Sequence, residues 1–209
     1  NTDYSVSYNN NIEVGTADVS ISGMGNYSGS VTTNFTITKA DISEAAVTLE
    51  KSSYTYDGSA KTPAVTVSLN GKTLLLNTDY SVSYNNNTAA GTANVSISGM
   101  GNYSGSVTTN FTITKADISE AAVTLEKSSY TYDGSAKTPS VTVSLNGKTL
   151  LLNTDYSVSY DKNTEVGTAD AIISGMGNYT GNTTATFTIT KADISKAAVT
   201  LEKTSFTYD

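Results

Sequence analysis

Apolar and polar residues alternate through most of this chain with a period of two, the pattern of strands buried on one face. Between residues 46 and 121 the alternation breaks into short blocks. Ala46 to Glu50 reads as a first strand with Val47 and Leu49 on one face, and Ser53 to Tyr56 as a second with Tyr54 and Tyr56 on one face. Asp57-Gly58 ends that block, and Pro63, which cannot donate to a ladder, fits the start or edge of the next strand. Val65 to Leu76 reads as a hairpin around Asn70-Gly71, a dipeptide that accepts the positive φ angles of a type I′ turn. The register predicted from that turn pairs Leu69 with Lys72, Val67 with Leu74 and Val65 with Leu76, the last two pairs on one face. Tyr80, Val82 and Tyr84 then alternate with serines, Ala93, Val95 and Ile97 with polar residues, and Val107, Thr109, Phe111 and Ile113 line a final strand. About seven strands and no helical period predict an all-β unit.

The block is a repeat. Asn-Thr-Asp-Tyr-Ser-Val-Ser-Tyr begins at Asn1, Asn77 and Asn153, a spacing of 76 residues. That is the size of a small domain and too long for one rung of a solenoid. The predicted organisation is the latter part of one repeat (1–45), two complete repeats (46–121 and 122–197) and the opening of another (198–209). The complete copies differ at 14 of 76 positions, grouped in the Asn-rich connection after Tyr84 and in the strands around the Gly-Met-Gly loop. Val95 becomes Ala171, Val107 becomes Thr183 and Thr109 becomes Ala185, so the last copy is expected to be the weaker, a buried Val to Ala change costing about 1.6 kcal/mol in transfer alone.

Composition removes most chemistry. The chain has no Cys, no His and no Trp, and all 12 of its basic residues are Lys. Imidazole and thiolate catalysis, His or Cys metal ligation and bidentate Arg clamps are therefore excluded, and a domain this small stands without disulfides. A dispersed net charge of -7 argues against nucleic acid and anionic membrane surfaces as partners. No apolar run has the length to insert into a bilayer.

The motifs Tyr56-Asp57-Gly58-Ser59-Ala60-Lys61-Thr62-Pro63, Asn77 to Tyr84, Gly91-Thr92-Ala93, Gly101-Asn102-Tyr103-Ser104-Gly105 and Phe111 to Ala116 recur in order. Together they resemble the YDG and MBG type repeats of large bacterial surface and secreted proteins. The resemblance implies an extracellular β-sandwich or β-grasp-like repeat that spaces functional domains of adhesins and cell-wall-associated proteins, and it brings no set of catalytic residues. The expected fold is thus all-β, a tandem series of small Ig-like or β-grasp-like sandwiches arranged end to end as a rod, each about 30 to 40 Å long.

Candidate sites are few. Asp57-Gly58, Asp133-Gly134, Asp79 and Asp155 read as turn residues, with Asp bonding nearby backbone. Oxygen ligands for calcium stand at Asp117, Glu120 and Asn85 to Asn87, but there is no Asp-x-Asp-x-Asp-Gly loop and Glu120 becomes Lys196, so no metal or other cofactor is expected. An isopeptide bond would need Lys, Asn and a carboxylate together, and Asn110 becomes Thr186. Met100 and Tyr103, with Met176 and Tyr179, sit in a Gly-rich loop where exposed side chains could contact a glycan or host protein; folded inward, they would instead cap the sandwich.

The stretch from Thr114 to Ala121 joins consecutive repeats without Gly, Pro or a polar tract. Its one large apolar residue, Ile118, recurs as Ile42 and Ile194. Buried at the joint, each contributes about 1.5 to 3 kcal/mol and limits bending, which makes the neighbouring repeats of the same chain its principal partners. The function these features favour is a non-catalytic stalk of a bacterial cell-surface or secreted protein, projecting another domain. The alternative is a weak binding module for glycan or protein, multiplied by avidity.

Overall fold

The computed structural model describes residues 3–208. It divides into two compact units, with the division along the chain between Thr114 and Lys115.

The first unit opens with β1 (Tyr4–Asn9), β2 (Gly15–Gly23) and β3 (Ser30–Ile37), an antiparallel sheet in that order, followed by the short β4 (Ala40–Asp41). A complete repeat follows: β5 (Ala46–Leu49), β6 (Ser53–Thr55), β7 (Val65–Leu69), β8 (Lys72–Thr73), β9 (Tyr80–Asn85), β10 (Gly91–Gly99), β11 (Tyr103–Ser104) and β12 (Ser106–Thr114). Its strands form a three-stranded sheet, β5-β7-β8, and a four-stranded sheet, β6-β12-β10-β9. All neighbours are antiparallel except β6, which lies parallel to β12 with Ile113 opposite Tyr54.

The core fills the space between these sheets. Val67 and Leu74 from one meet Tyr80, Ala93, Val95, Ile97, Phe111 and Ile113 from the other, and Tyr54 stands edge-on to Phe111 at 5.6 Å. These are the inward sets that the period-two alternation predicts. Two phenols tie the layers together: Tyr80 donates to the Val65 carbonyl at 2.8 Å, and Tyr84 to the carbonyl of the buried Pro63 at 2.6 Å. Burial raises both phenols above their ordinary pKa.

The Asn70-Gly71 turn has φ of 50° and 82°, Leu69 pairs with Lys72, and the Leu74 amide donates to Val67 at 2.9 Å. The expected third pair does not form. Past Leu74 the chain leaves the hairpin for the turn closed by Asp79, whose carboxylate accepts from the Leu75 amide at 2.9 Å, and Leu76 bridges to Tyr80 instead of Val65. Leu75 and Leu76 are exposed as a result.

The second unit holds β13 (Ala116–Asp117), β14 (Ala122–Leu125), β15 (Ser129–Thr131), β16 (Val141–Leu145), β17 (Lys148–Thr149), β18 (Tyr156–Asp161), β19 (Gly167–Gly175), β20 (Tyr179–Thr180) and β21 (Asn182–Thr190). Its two main sheets, β14-β16-β17 and β15-β21-β19-β18, reproduce the pairing of the first repeat. Ala171 remains fully buried where Val95 stood. Three polar changes act together at the Asn-rich connection. Asp161, Lys162 and Asp170 replace Asn85, Asn86 and Asn94, and the Lys162 ammonium lies 3.9 and 3.8 Å from the two carboxylates while its backbone keeps φ near 53°.

Candidate functional site

The Gly-Met-Gly-Asn-Tyr loop and the joint segment meet within each unit. In the first, β4 lies parallel to β11, with Ala40 opposite Tyr103 and Asp41 opposite Ser104. The Ala40 amide donates to the Asn102 carbonyl at 3.0 Å and the Ile42 amide to the Ser104 carbonyl at 2.9 Å. The second unit repeats this with Ala116 donating to Asn178 at 3.0 Å and Ile118 to Thr180 at 2.9 Å. Each joint segment is therefore a strand of the repeat that follows it.

Side chains lock the seam. Asp41 accepts from the Ser43 amide at 2.9 Å, a tight turn that presses its carboxylate against Gly105. A Cβ placed on Gly105 would come within 2.0 Å of Asp41 Oδ1, and one on Gly181 within 2.0 Å of Asp117 Oδ1, so glycine is required by both space and φ near +80°. Ile42 is fully buried in the same core as Leu74, Tyr80, Ile97 and Tyr103. Ile118 is likewise fully buried, but Ile194 is 80% exposed. No loop of a following repeat covers Ile194 among the described residues, although its local turn is formed: Ser195 donates to Asp193 at 2.8 Å and Ala197 to the Ile194 carbonyl at 2.9 Å. The Ser195 amide holds the Asp193 carboxyl below its ordinary pKa.

Tyr103 and Tyr179 fold inward and are 8% and 3% exposed, while Met100 and Met176 remain partly open. Each phenol oxygen accepts from a lysine of the neighbouring hairpin, Lys72 at 3.0 Å and Lys148 at 3.3 Å, and each ammonium also lies over the ring. The Tyr103 hydroxyl holds Lys72 above its ordinary pKa, with the fields of Asp79 and Glu13 adding to it. At the first seam Asn102 also receives the Val14 amide at 3.0 Å and donates to Glu13. The equivalent Tyr27, on a loop of the same sequence, is 64% exposed.

Sequence reasoning found the isoleucines and tyrosines but treated them as separate sites. It missed Asp41 and Asp117 at the glycines and Lys72 and Lys148 on the phenols. The available signal was the invariance of Lys-Ala-Asp-Ile-Ser and Gly-Met-Gly-Asn-Tyr across the copies. The turn aspartates behave as the sequence suggests: Asp57 and Asp133 accept from the Ser59 and Ser135 amides at 2.8 Å and pair with Lys61 and Lys137. Among the described residues no group of three or more acidic side chains is placed to hold a metal ion, and Asn110 faces outward, opposite Asn94.

Solved chains that align include one titled "Protocadherin gammaB7 EC3-6 cis-dimer structure", 11% identical with a TM-score of 0.26 over 92% of this chain and 67% of that one. Another, "Protocadherin Gamma B2 extracellular cadherin domains 3-6", is 12% identical with a TM-score of 0.26 over 92% and 66%. The present chain thus spans about two thirds of their length. No curated protein matches the sequence. The sequence profile of the MBG domain matches residues 45–117 and again residues 121–193, following the two complete repeats. The chain belongs to the MBG domain family, as a tandem array of its repeats.

Proposed function

We propose that this array is a non-catalytic stalk of an extracellular, bacterial surface or secreted protein, and that it holds another domain away from the surface. The observation that carries the reading is the seam. The residues joining one repeat to the next are hydrogen-bonded into the second repeat and bury Ile42 and Ile118 completely, which leaves little free chain to act as a hinge. The inward fold of Tyr103 and Tyr179, with their hydroxyls engaged by lysines, favours this role over a repeated ligand site.

Small-angle scattering of the 209-residue chain, extrapolated to infinite dilution, tests it. A stalk has a maximum dimension of about 100 Å or more, from strands of about 8 residues at about 3.3 Å each plus loops. Ile118→Ser is expected to broaden the distance distribution, and because Ile118 belongs to the buried core it also destabilises the repeat after it. A compact particle, or a distribution that Ile118→Ser leaves unchanged, rules the stalk mechanism out.

A further inference from the structure

Within the first complete repeat, β9 is the edge of the four-stranded sheet, and the bonds at its ends show which backbone groups it leaves open. The Met100 amide donates to the Asp79 carbonyl at 2.8 Å, which fixes the alternation along the strand. Ser81, Ser83 and Asn85 bond to β10, while Tyr80, Val82 and Tyr84 point their N–H and C=O groups away from it. At Tyr80 those groups are taken by the adjoining turn: the Asn77 amide donates to the Tyr80 carbonyl at 2.7 Å and the Tyr80 amide to the Leu75 carbonyl at 3.4 Å. At the other end the backbone turns at Asn86, with φ of 56°. The open stretch is therefore Ser81 to Asn85, with Ser83 at its midpoint and the free groups on Val82 and Tyr84. Edge strands are commonly blunted by charge or proline, and this stretch has neither. Its counterpart in the second repeat ends in Asp161 and is followed by Lys162, whose ammonium stands beside the Asp161 and Asp170 carboxylates.

We propose that β9 pairs antiparallel with β9 of a second copy, about a two-fold axis at Ser83, so that two chains associate through this edge and not through β18. The register follows from the open stretch. Val82 of each copy lies opposite Tyr84 of the other, and both residues exchange their free N–H and C=O groups across the axis. Ser81 lies opposite Asn85, hydroxyl against amide, and Ser83 opposite itself. The ends also fit: each strand leaves the edge after Asn85, just where the Leu75 to Asn77 turn of the other copy closes it. No charged side chain lies on Ser81 to Asn85, so the two copies bring no like charges into register. Beside the edge, Pro63, Val65, Leu76, Val82 and Tyr84 border an open hollow of about 450 Å³, and Leu76 is exposed there. Pairing sets one such hollow beside the other and draws Leu76 out of water. The contact is isologous, one patch meeting its own copy, so it closes at a dimer.

Sedimentation equilibrium of the whole 209-residue chain between about 1 µM and about 1 mM, the range of weak specific interfaces, tests the pairing. The expected mass rises with concentration and levels off at two chains. Ser83 is exposed, so Ser83→Lys and Ser83→Glu leave the core of the repeat untouched. Each sets like charges directly opposite one another at the two-fold axis, and each should remain monomeric over the whole range. An equimolar mixture of the two variants should associate again, because lysine then faces glutamate. A constant monomer mass for the unsubstituted chain overturns the proposal. Association that persists in the separate variants, or a mixture that stays monomeric, also overturns it, because Ser83 would then not lie on the axis. Growth past two chains overturns the restriction to β9.

Discussion

Residues 3–45 and 79–121 are nearly the same sequence, differing only where Ile12, Glu13, Val14 and Asp18 stand for Thr88, Ala89, Ala90 and Asn94. Both fold into the same three antiparallel strands with the same register. Their burial is opposite: Phe111 is 1% exposed and Phe35 is 42% exposed. The difference lies outside the compared residues. The later copy has the sheet β5-β7-β8 and the Ile42 segment laid across its inward face, with β6 added at its β12 edge, and the earlier copy has no second sheet among the described residues. Alternation therefore specifies which side chains share a face, and the rest of the repeat determines whether that face is dry.

The largest effect expected from this contrast is at the paired phenylalanines. Phe111→Ala should cost about 3 to 5 kcal/mol, the range for a large side chain deleted from a close-packed core. Phe35→Ala, on an open sheet, should cost under about 1 kcal/mol. Urea unfolding followed by hydrogen exchange on peptides from each region reads both. Equal costs would mean that the first sheet is covered in solution by something the sequence supplies elsewhere.

A smaller effect isolates the seam. Gly29 and Gly105 both have φ near +80 to +90°, but only Gly105 faces an aspartate, and nothing lies within 4 Å of a Cβ at Gly29. Replacing either by Ala incurs the same backbone strain, and Gly105→Ala should cost about 1 to 3 kcal/mol more by displacing Asp41. Asp41→Ala in the same chain should bring the two glycine variants together. If they are already equal with Asp41 in place, the carboxylate does not fix the seam.

The smallest effect is in pH. Lys61 and Ser59 hold the Asp57 carboxyl below its ordinary value, and Lys137 and Ser135 do the same for Asp133. A depressed folded pKa stabilises above the unfolded pKa of about 3.9, and that stabilisation is lost as pH falls through the folded value. Both carboxylates are exposed, so the loss is small. Asp57→Asn with Asp133→Asn should flatten the fall in urea midpoint between about pH 5 and about pH 2.5. Residues 3–45 contain no counterpart of either pair and should show no change in local exchange from the double variant.

Much of the fold was legible because its signals are local. Val95 and Ile97 declare their face by alternation, and Asn70-Gly71 declares its turn by the φ angles it tolerates. The hairpin was over-extended by one pair because Leu76 looks like a core residue, while the Asp79 turn that redirects it depends on a carboxylate-to-amide bond that apolar patterning does not carry. The seam was legible only in its parts. A two-residue parallel bridge has no periodicity, and its partners are separated by most of a repeat, so Ile42 could be recognised as apolar without revealing which repeat it completes. The exposed Ile194 makes the same point, since its sequence and local turn match those of its buried counterparts.

The parallel pairing of β6 with β12 has a mechanical consequence. The two strands lie near opposite ends of the same repeat in sequence, so tension applied along the chain draws them past one another in opposite senses. The bonds from the Thr112 amide to Ser52 at 3.0 Å, from the Tyr56 amide to Thr114 at 2.8 Å and from the Thr114 hydroxyl to the Tyr54 carbonyl at 3.1 Å then bear load in shear and must yield together. A ladder pulled from one end would surrender the same bonds one at a time. Resistance to pulling is a matter of the rate of unfolding rather than of equilibrium stability, so a small repeat without a disulfide can still be difficult to extend.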